Sequence, residues 1–307
     1  ATMFSTPRTA TALAATTAVV TVALLLLHRR RRQQQQPSQH RHAPTTALPR
    51  TVVISLARRP AKRSAVLQRA AEAGLGGVAE LFEAVDGRAL TPESLAARGV
   101  ALYRGWRLPD STNRFFSREL KLGEVGCALS HHGAWQLTAA HGGPVLVLED
   151  DVAFAPDFAA LLLLALREVD ALVAEGLAQP PDLLYVARRA MQPDRERLPR
   201  SDAGRDTGRP RPGLALPGFS YKTTGYVLWP SGAAKLLRSG YLQRLVPVDD
   251  LLPCLYTRHA VAGQERPDLD QLFADAPRLH ALTVRPSLAW ERPGVSDTEN
   301  SKPVMDS

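Results

Sequence analysis

The chain has 307 residues, 45% of them hydrophobic, and a formal net charge of +8. Residues 1–50 hold seven arginines and no acidic residue, which leaves a charge of only +1 on residues 51–307. This near-neutral balance gives no reason to expect nucleic acid as a partner. The two cysteines, Cys127 and Cys254, exclude a disulfide scaffold and a cysteine-rich zinc site, and two separate buried thiols are favoured over one disulfide.

The N-terminal region predicts a membrane or targeting segment. Residues 1–8 form a short tail, and residues 9–27 carry no charge and nearly span a bilayer core of about 30 Å as a helix. A signal anchor is favoured over a cleaved signal peptide, with an organelle transit peptide as a third interpretation. The arginines of residues 29–32 oppose an anchor whose C-terminal domain is translocated, since positive charge tends to stay cytoplasmic. Residues 28–50, rich in Arg, Gln, Pro and His, predict a basic disordered linker.

From Thr51 onward, strand and helix patterns alternate. TVVISL predicts a first strand, and the next segment predicts a helix that begins at Pro60 and ends at Gly74. ELFEAVDG predicts a second strand, TPESLAARG a short capped helix, and residues 124–140 a long helix closed by Gly142. PVLVL, a long apolar-faced helix, DLLYV and a strand, turn and helix at TTGYVLWPSGAAKLLRSG follow. This alternation predicts an α/β fold with a mostly parallel central sheet covered on both faces.

One segment interrupts this alternation. Residues 188–218 are rich in Arg, Asp, Pro and Gly, and both a mobile loop near a site and an unstructured insertion fit this composition. A second acidic pair, Asp249 and Asp250, follows within VPVDDLLP.

The stretch PVLVLEDDVAF places Glu149, Asp150 and Asp151 directly after a buried strand. Ligands of parallel α/β sheets bind at the carboxyl ends of strands, where these acids are expected. Adjacent carboxylates repel one another and lose solvation there, and a divalent cation such as Mn²⁺ or Mg²⁺ would relieve both effects. The alternative is that the triplet caps the following turn. No phosphate-binding loop or dinucleotide fingerprint is present.

Six motifs occur in a fixed order: VVISLARRPAKRSAVLQRA, GEVGCALSHHGAWQ, VLVLEDDVAF, TTGYVLWPSGAAKLL, VPVDDLLP and GVSDTE. Together, from Thr51 to Asn300, they resemble glycosyltransferase family 25, which includes lipooligosaccharide and procollagen galactosyltransferases. The last two motifs look closer to the procollagen branch. The resemblance implies a GT-A-like nucleotide-sugar fold over residues 51–295, followed by a tail at 296–307. It also implies an inverting reaction, UDP-galactose as donor and Mn²⁺.

Residue by residue, the resemblance implies that the acidic triplet binds the metal ion and the donor. Asp151 is the main expected metal ligand, with Glu149 as the second, and Asp150 is expected on the donor side. The expected donor-binding residues are otherwise Ser55, Arg58, Arg59, Arg63, Ser130, His131, Thr224, Gly225 and Tyr226. Arg63 could equally be a solvent-facing helix residue. Ser130 and His131 are adjacent on a helix and point about 100° apart, so they predict a polar wall rather than a catalytic dyad.

Asp249 and Asp250 are the candidate catalytic acids. An inverting transfer needs a base that removes the proton of the acceptor hydroxyl, and Asp249 matches the family's typical acid in this motif. Either acid could instead cap a helix that starts at Leu251.

The resemblance implies a UDP-sugar donor and a glycan or hydroxylated protein as acceptor, with no nucleic acid. The location expected is the endoplasmic reticulum or Golgi membrane as a single-pass protein, or the lumen or exterior if residues 9–27 are cleaved. An inactive sugar-nucleotide or glycan-binding protein of the same fold is one alternative. A metal-dependent phosphohydrolase is another, although it would need a richer set of Asp and His ligands.

Overall fold

The computed structural model describes residues 45–200, 212–259, 265–294, 298 and 300–304. The predicted N-terminal tail, the apolar segment 9–27 and most of the linker lie outside these residues. Within the described part of the chain, no helix combines the length and the apolar character needed to cross a bilayer.

Strands form one large sheet and one small one. The large sheet has eight strands in the order β2-β1-β3-β8-β5-β9-β7-β6, and the small sheet pairs β10 with β4. The strands are β1 (Arg50–Ser55), β2 (Ala79–Glu83), β3 (Val145–Glu149), β4 (Val152–Phe154), β5 (Leu183–Ala190), β6 (Glu196–Arg197), β7 (Gly213–Leu216), β8 (Ser220–Leu228), β9 (Ala281–Arg285) and β10 (Ala289–Glu291).

Helices follow most of the early strands, as the sequence predicted. Gly142, with φ of +78°, ends the long helix where expected, and Gly74, with φ of +85°, lies in a π-helical turn (Ala71–Leu75) after the first helix. Single 3₁₀ turns occur at Gly87–Ala89 and Tyr241–Arg244. The helices are α1 (Pro60–Ala70), α2 (Pro92–Ala97), α3 (Leu122–His141), α4 (Phe158–Ala174), α5 (Pro230–Leu237), α6 (Val248–Cys254) and α7 (Pro267–Leu272).

The central sheet is mixed, which corrects the expectation of a mostly parallel sheet. β1 runs parallel to β2 and β3, and β5 runs parallel to β9, but β8 is antiparallel to both β3 and β5. The described elements between β5 and β8 are the short strands β6 and β7. Part of the 188–218 segment joins the sheet as β6 and β7, while residues 201–211 lie outside the description.

Both faces of the sheet are covered, as predicted. Val145 and Val147 of β3 face one core cluster, which includes Trp135 of α3. Leu146 and Leu148 face the other cluster, which includes Leu162 of α4. This alternation is the two-residue period of a strand buried on both sides, and it explains why PVLVL is apolar throughout.

The reversed strand β8 brings its own first residues to the end of β3. Leu148 pairs with Gly225 and Val147 with Tyr226, so the residues that precede Gly225 lie beside the acidic triplet. Pocket-forming side chains from β8 therefore meet those at the carboxyl ends of β1 and β3.

Candidate functional site

A cleft of about 560 Å³ opens at the carboxyl ends of β1 and β3, a size typical of small-ligand sites. Its walls come from the ends of β1 and β2, the first half of α3, the start of β8 and the start of α6. Ten of the residues singled out from sequence line it together: Ser55, Arg58, Arg59, Ser130, His131, Glu149, Asp150, Asp151, Asp249 and Asp250.

Asp150 is held by residues of the first strand and helix. Ser55 at the end of β1 donates a 2.6 Å hydrogen bond to Asp150 Oδ2, and Lys62 Nζ of α1 lies 3.8 Å from Oδ1. Arg69 of the same helix donates to the carbonyl oxygens of Asp150, at 2.7 Å, and of Val152, at 3.0 Å. The turn that carries the acidic triplet is therefore fixed by side chains that sequence reasoning did not single out, Lys62 and Arg69.

Glu149 lies at the end of a hydrogen-bonded chain that runs through the core. Thr223 donates to Glu149 Oε1 at 2.6 Å, and His131 Nε2 lies 3.3 Å from the same oxygen. Tyr226 OH lies 2.9 Å from His131 Nδ1 and accepts a 3.0 Å bond from Trp135 Nε1. If the Tyr226 hydroxyl donates to Nδ1, the neutral ring carries its proton on Nε2, facing Glu149. Although burial opposes ionisation, the His131 and Thr223 contacts lower the pKa of Glu149 below its ordinary value.

Asp151 has the least satisfied carboxylate of the triplet. Its Oδ1 is buried and has no hydrogen-bond partner among the described residues. Burial, together with the charges of Glu149, Glu291 and Asp150, raises the pKa of Asp151 to about 7. A buried carboxylate oxygen that has no hydrogen-bond partner and has acidic neighbours favours the binding of a cation. Oxygen ligands suit a hard divalent ion. The residues present therefore fit the metal that the sequence predicts.

The second acidic pair lies in the first turn of α6 and does not cap it. The N-cap residue is Pro247, and no side chain caps this end, so the capping alternative is wrong. Asp249 accepts a long 3.4 Å bond from the backbone N–H of Lys222, and burial and the charge of Asp250 raise its pKa to about 7. Asp250 is only 5% exposed, and burial raises its pKa to about 8. Among the described residues its Oδ1 has no hydrogen-bond partner. His259 Nε2 lies 3.5 Å from it, and because burial lowers the pKa of His259 to about 4, this ring is neutral near pH 7.

Lys222 is a strained residue among these acids. Its backbone φ is +73° inside β8, in the left-handed region that residues other than glycine rarely adopt. Its Nζ donates a 3.1 Å bond to Glu291. β10 pairs antiparallel with β4 and sets Glu291 opposite Val152. A lysine inside an apolar strand was a sequence signal for this site, whereas Glu291, which is distant in sequence, had none.

Some predicted donor-side residues lie elsewhere. Thr224, Gly225 and Tyr226 are buried in β8 behind the cleft wall, and a Cβ on Gly225 would lie 3.0 Å from side-chain atoms of Leu148 and Val186. Arg63 on α1 is half-buried and does not line the cleft. Their direct contact with a donor stays a prediction.

Two other predicted residues line the cleft and also hold its loops. Ser130 donates to the Gly126 carbonyl oxygen at 2.6 Å and accepts from the Val85 N–H at 2.8 Å, which ties α3 to the loop after β2. Arg58 Nε donates to Asp86 Oδ2 at 2.6 Å.

The two cysteines are both free, as predicted, but they differ in position. Cys254 is buried, whereas Cys127, predicted to be a core residue, packs against the core and also lines the cleft. Burial and the nearby charges of Glu149 and Asp249 raise the pKa of the Cys127 thiol well above its ordinary value. Cys127, His131 and Glu149 together could hold a metal ion, since their ligand atoms lie within 4.8 Å of one another.

Comparison with known families decides the assignment. The family model described as "Glycosyltransferase family 25 (LPS biosynthesis protein)" matches residues 49–252. This chain belongs to glycosyltransferase family 25. The predicted resemblance is thereby confirmed, and residues 49–252 include every residue singled out from sequence for the cleft.

Three relatives show the range of names within the family. The chain is 36% identical over 258 residues to the human "Inactive glycosyltransferase 25 family member 3", covering 83% of this chain and 39% of that protein. It is 32% identical over 266 residues to a Drosophila melanogaster "Glycosyltransferase 25 family member", covering 84% and 39%. It is 30% identical over 260 residues to the Danio rerio "Procollagen galactosyltransferase 1", covering 81% and 38%. The chain thus spans about two fifths of the length of these relatives.

Proposed function

We propose that this family 25 chain is a metal-dependent inverting glycosyltransferase that moves galactose from UDP-galactose to an acceptor hydroxyl. One observation carries the proposal: two different acidic groups line the same cleft. One is the triplet Glu149 to Asp151, in which Asp151 Oδ1 is buried without a hydrogen-bond partner among the described residues. The other is Asp249 of α6, whose pKa is raised. The first set suits a metal and a diphosphate, and the second suits proton removal. The acceptor we propose is a glycan or a hydroxylated protein.

Asp151 and Glu149 would hold the divalent ion, Mn²⁺ or Mg²⁺. When bound, such an ion neutralises negative charge on the UDP diphosphate as it leaves. Asp151 offers its unpartnered Oδ1, while Glu149 is already oriented by Thr223 and His131. Asp150, fixed by Ser55, is left to meet the donor's ribose or the water around the ion.

Basic residues at the end of β1 would bind the diphosphate. Arg58 and Arg59 line the cleft just beyond Ser55, and Lys62 lies one helical turn further on. Guanidinium groups bind phosphates through paired hydrogen bonds, which orients the donor as well as attracting it. Lys222 supplies a positive charge on the acidic side, where Glu291 holds its ammonium group.

Asp249 would act as the catalytic base. A base works best when its pKa lies near the working pH, and burial beside Asp250 raises the pKa of Asp249 to about 7. Asp249 accepts the acceptor hydroxyl's proton as that oxygen attacks the anomeric carbon, and the bond from that carbon to the UDP oxygen breaks on the opposite side. Burial is the main cause of the rise in the pKa of Asp249, and Asp250 adds to it only when it is itself ionised, above its own raised pKa of about 8.

A second candidate function is binding without transfer. The observation that favours it is the name of the human relative, which describes that protein as inactive. On this alternative the same cleft would bind a sugar nucleotide or glycan without turnover. We favour transfer because the acidic triplet and Asp249 are all present in the one cleft.

For its location, we propose the membrane or lumen of the endoplasmic reticulum or Golgi, with residues 9–27 as a single-pass anchor. If that segment is cleaved, the protein would be lumenal or secreted. Protease protection and carbonate extraction of the full chain from microsomes would distinguish these states. Resistance to carbonate extraction, with the rest of the chain protected from protease, supports the anchor, whereas release by carbonate of a protease-protected protein supports the cleaved form.

The test of transfer is UDP release from UDP-galactose with Mn²⁺ and a hydroxylysine-containing collagen-like peptide. Release should require both metal and acceptor, and mass spectrometry should show one added hexose. Asp151→Asn should slow this release by about 10²–10³-fold. Asp275→Asn makes the same chemical change at a side chain that is 75% exposed, and it should behave as wild type. Equal turnover by wild type and Asp151→Asn would contradict the role given to Asp151. Calorimetric binding of UDP-galactose without turnover on an acceptor panel would instead support the binding function.

A further inference from the structure

A second set of metal-binding groups lies beside the acidic triplet. Cys127 and His131 are four residues apart on α3, so they share one face of the helix, and Glu149 approaches from the end of β3. All three line the cleft, and their ligand atoms lie within 4.8 Å of one another. Helix α3 and strand β3 thus bring a sulfur, a nitrogen and an oxygen ligand close together.

The spacing of two of these groups fits a bound ion. His131 Nε2 and Glu149 Oε1 are 3.3 Å apart, which is long for a hydrogen bond between N–H and oxygen. A tetrahedral zinc ion with bonds of about 2.0–2.1 Å to nitrogen and oxygen places those atoms about 3.3 Å apart. The Cys127 sulfur lies within 4.8 Å of both of these atoms.

The surrounding hydrogen bonds also suit a metal site. A metal-binding histidine commonly uses its other ring nitrogen to contact a fixed polar group, and a ligating carboxylate is commonly hydrogen-bonded in turn. Here Tyr226 OH contacts His131 Nδ1 at 2.9 Å and is itself held by Trp135. Thr223 holds Glu149 at 2.6 Å. Both ligands are therefore oriented before any ion arrives.

We propose that Cys127, His131 and Glu149 form a Zn²⁺ site that inhibits transfer when it is filled. Sulfur and imidazole ligands favour Zn²⁺, whereas the oxygen ligands of the acidic triplet favour Mn²⁺ or Mg²⁺. On binding, the Cys127 S–H bond breaks, a Zn–S bond forms and the proton leaves to solvent. His131 binds through an unprotonated Nε2, with its ring proton on Nδ1 facing Tyr226 OH, and no oxidation state changes. Inhibition follows because Glu149 cannot serve both ions, and this second part rests on the proposed transferase function.

The decisive test of the site uses Co²⁺ as a coloured substitute for Zn²⁺. The full chain, freed of metal with EDTA and dialysed, should develop a cobalt–thiolate charge-transfer absorption at one equivalent of Co²⁺. Cys127→Ser should lack this absorption. Cys254→Ser, which changes the other, buried cysteine in the same way, should keep it. Absence of the absorption in wild type, or its survival in Cys127→Ser, would overturn the site.

Zn²⁺ affinity gives the magnitude of the effect. Competition against a chromophoric chelator should show Cys127→Ser binding Zn²⁺ at least about tenfold more weakly than wild type, since even outer partners of a metal site change affinity by 10–100-fold. If Cys127→Ser does not fold, wild type alone suffices. Zn²⁺ should then slow modification of the single accessible thiol by a thiol reagent, and an unchanged rate would contradict the proposal.

Inhibition is measured separately as UDP release with saturating Mn²⁺ and rising Zn²⁺. The Zn²⁺ concentration for half inhibition should be at least about tenfold higher in Cys127→Ser than in wild type, each compared with its own rate with Mn²⁺ and without Zn²⁺. Equal sensitivity would refute inhibition through this site. If neither protein shows any turnover, the transferase proposal fails, while the cobalt absorption still decides whether the zinc site exists.

Discussion

Glu149, Asp150 and Asp151 follow a central strand, whereas Asp249 and Asp250 open a short helix on another wall of the same cleft. Glu149 and Asp150 accept bonds from Thr223 and Ser55, whereas Asp249 accepts one long backbone bond and Asp250 Oδ1 has no hydrogen-bond partner among the described residues. Hydrogen-bond donors favour the ionised acid, and burial without donors favours the neutral one. Glu149 is thus favoured in its ionised form, whereas Asp249 is able to accept a proton near pH 7.

Asp151 stands between these two cases. It belongs to the triplet by sequence, but its orphaned Oδ1 and its pKa of about 7 resemble the second pair. We assign Asp151 to cation binding rather than to proton transfer, because it adjoins Glu149 and Asp150 and its Oδ1 has no hydrogen-bond partner among the described residues. Variants of each acid can separate the two interpretations.

The largest expected effect is on Asp249→Asn. Loss of a general base lowers kcat by about 10²–10⁴-fold, and the amide leaves the charge of the triplet unchanged. In wild type, kcat/KM should rise as pH increases through about 7, because the base must be ionised and its pKa is raised to about 7. The pH–rate profile of UDP release measures this rise. A profile in Asp249→Asn that keeps the same rise would show that another group is the base.

A slightly smaller effect is expected for Asp151→Asn, and it should be separable from Asp150→Asn. Losing the unpartnered carboxylate should lower kcat by about 10²–10³-fold, the range found when one charge-stabilising group is removed. It should also weaken Mn²⁺ binding, measured by electron paramagnetic resonance of free Mn²⁺. Asp150→Asn retains that ligand and should mainly raise the donor KM. The reverse order of Mn²⁺ affinities would exchange their roles.

Asp250→Asn should stabilise the protein at high pH. The folded-state pKa of Asp250 is raised to about 8 from an ordinary 3.8, so wild-type stability falls as pH rises from about 4 to about 8. The variant lacks this penalty. Its gain in unfolding free energy over wild type should therefore grow between pH 5 and pH 8, by roughly 2–4 kcal/mol. Urea unfolding in EDTA measures it, and a gain that does not change with pH would contradict the buried, neutral state of Asp250.

The smallest effect is expected for Tyr226→Phe, which tests the support behind the triplet. The change removes one oxygen and leaves Trp135 Nε1 and His131 Nδ1 without their shared partner. Leaving a buried polar group unpaired costs about 1–3 kcal/mol in unfolding free energy. Thr138→Val removes another fully buried hydroxyl, which donates to the Ala134 carbonyl oxygen and does not line the cleft, and it serves as the control. A donor KM that rises many-fold at unchanged stability would instead place Tyr226 in contact with the donor.

The elements predicted from sequence were mostly correct where one local pattern decides them. The apolar run before Glu149 and the helix closed at Gly142 are confirmed because burial and chain geometry act within one element. The direction of β8 was not predicted, since it depends on what connects it to β5. The residues of the site divide in the same way. Glu149, Asp151 and Asp249 belong to motifs that can be recognised in the sequence. Lys222 and Glu291 are brought together only by the pairing of β10 with β4.

By itself, the sequence determined the family, the apolar strand that ends in three acids, and the order of the motifs along the chain. Those features are local, since they depend on residue types and spacing alone. Only the tertiary structure decided which carboxylates are satisfied and which are not, because hydrogen bonds and burial come from residues far apart in sequence. The reversal of β8 is the clearest case: it sets Thr223 against Glu149 and the backbone of Lys222 against Asp249, and so gives the two acidic clusters their different chemistry.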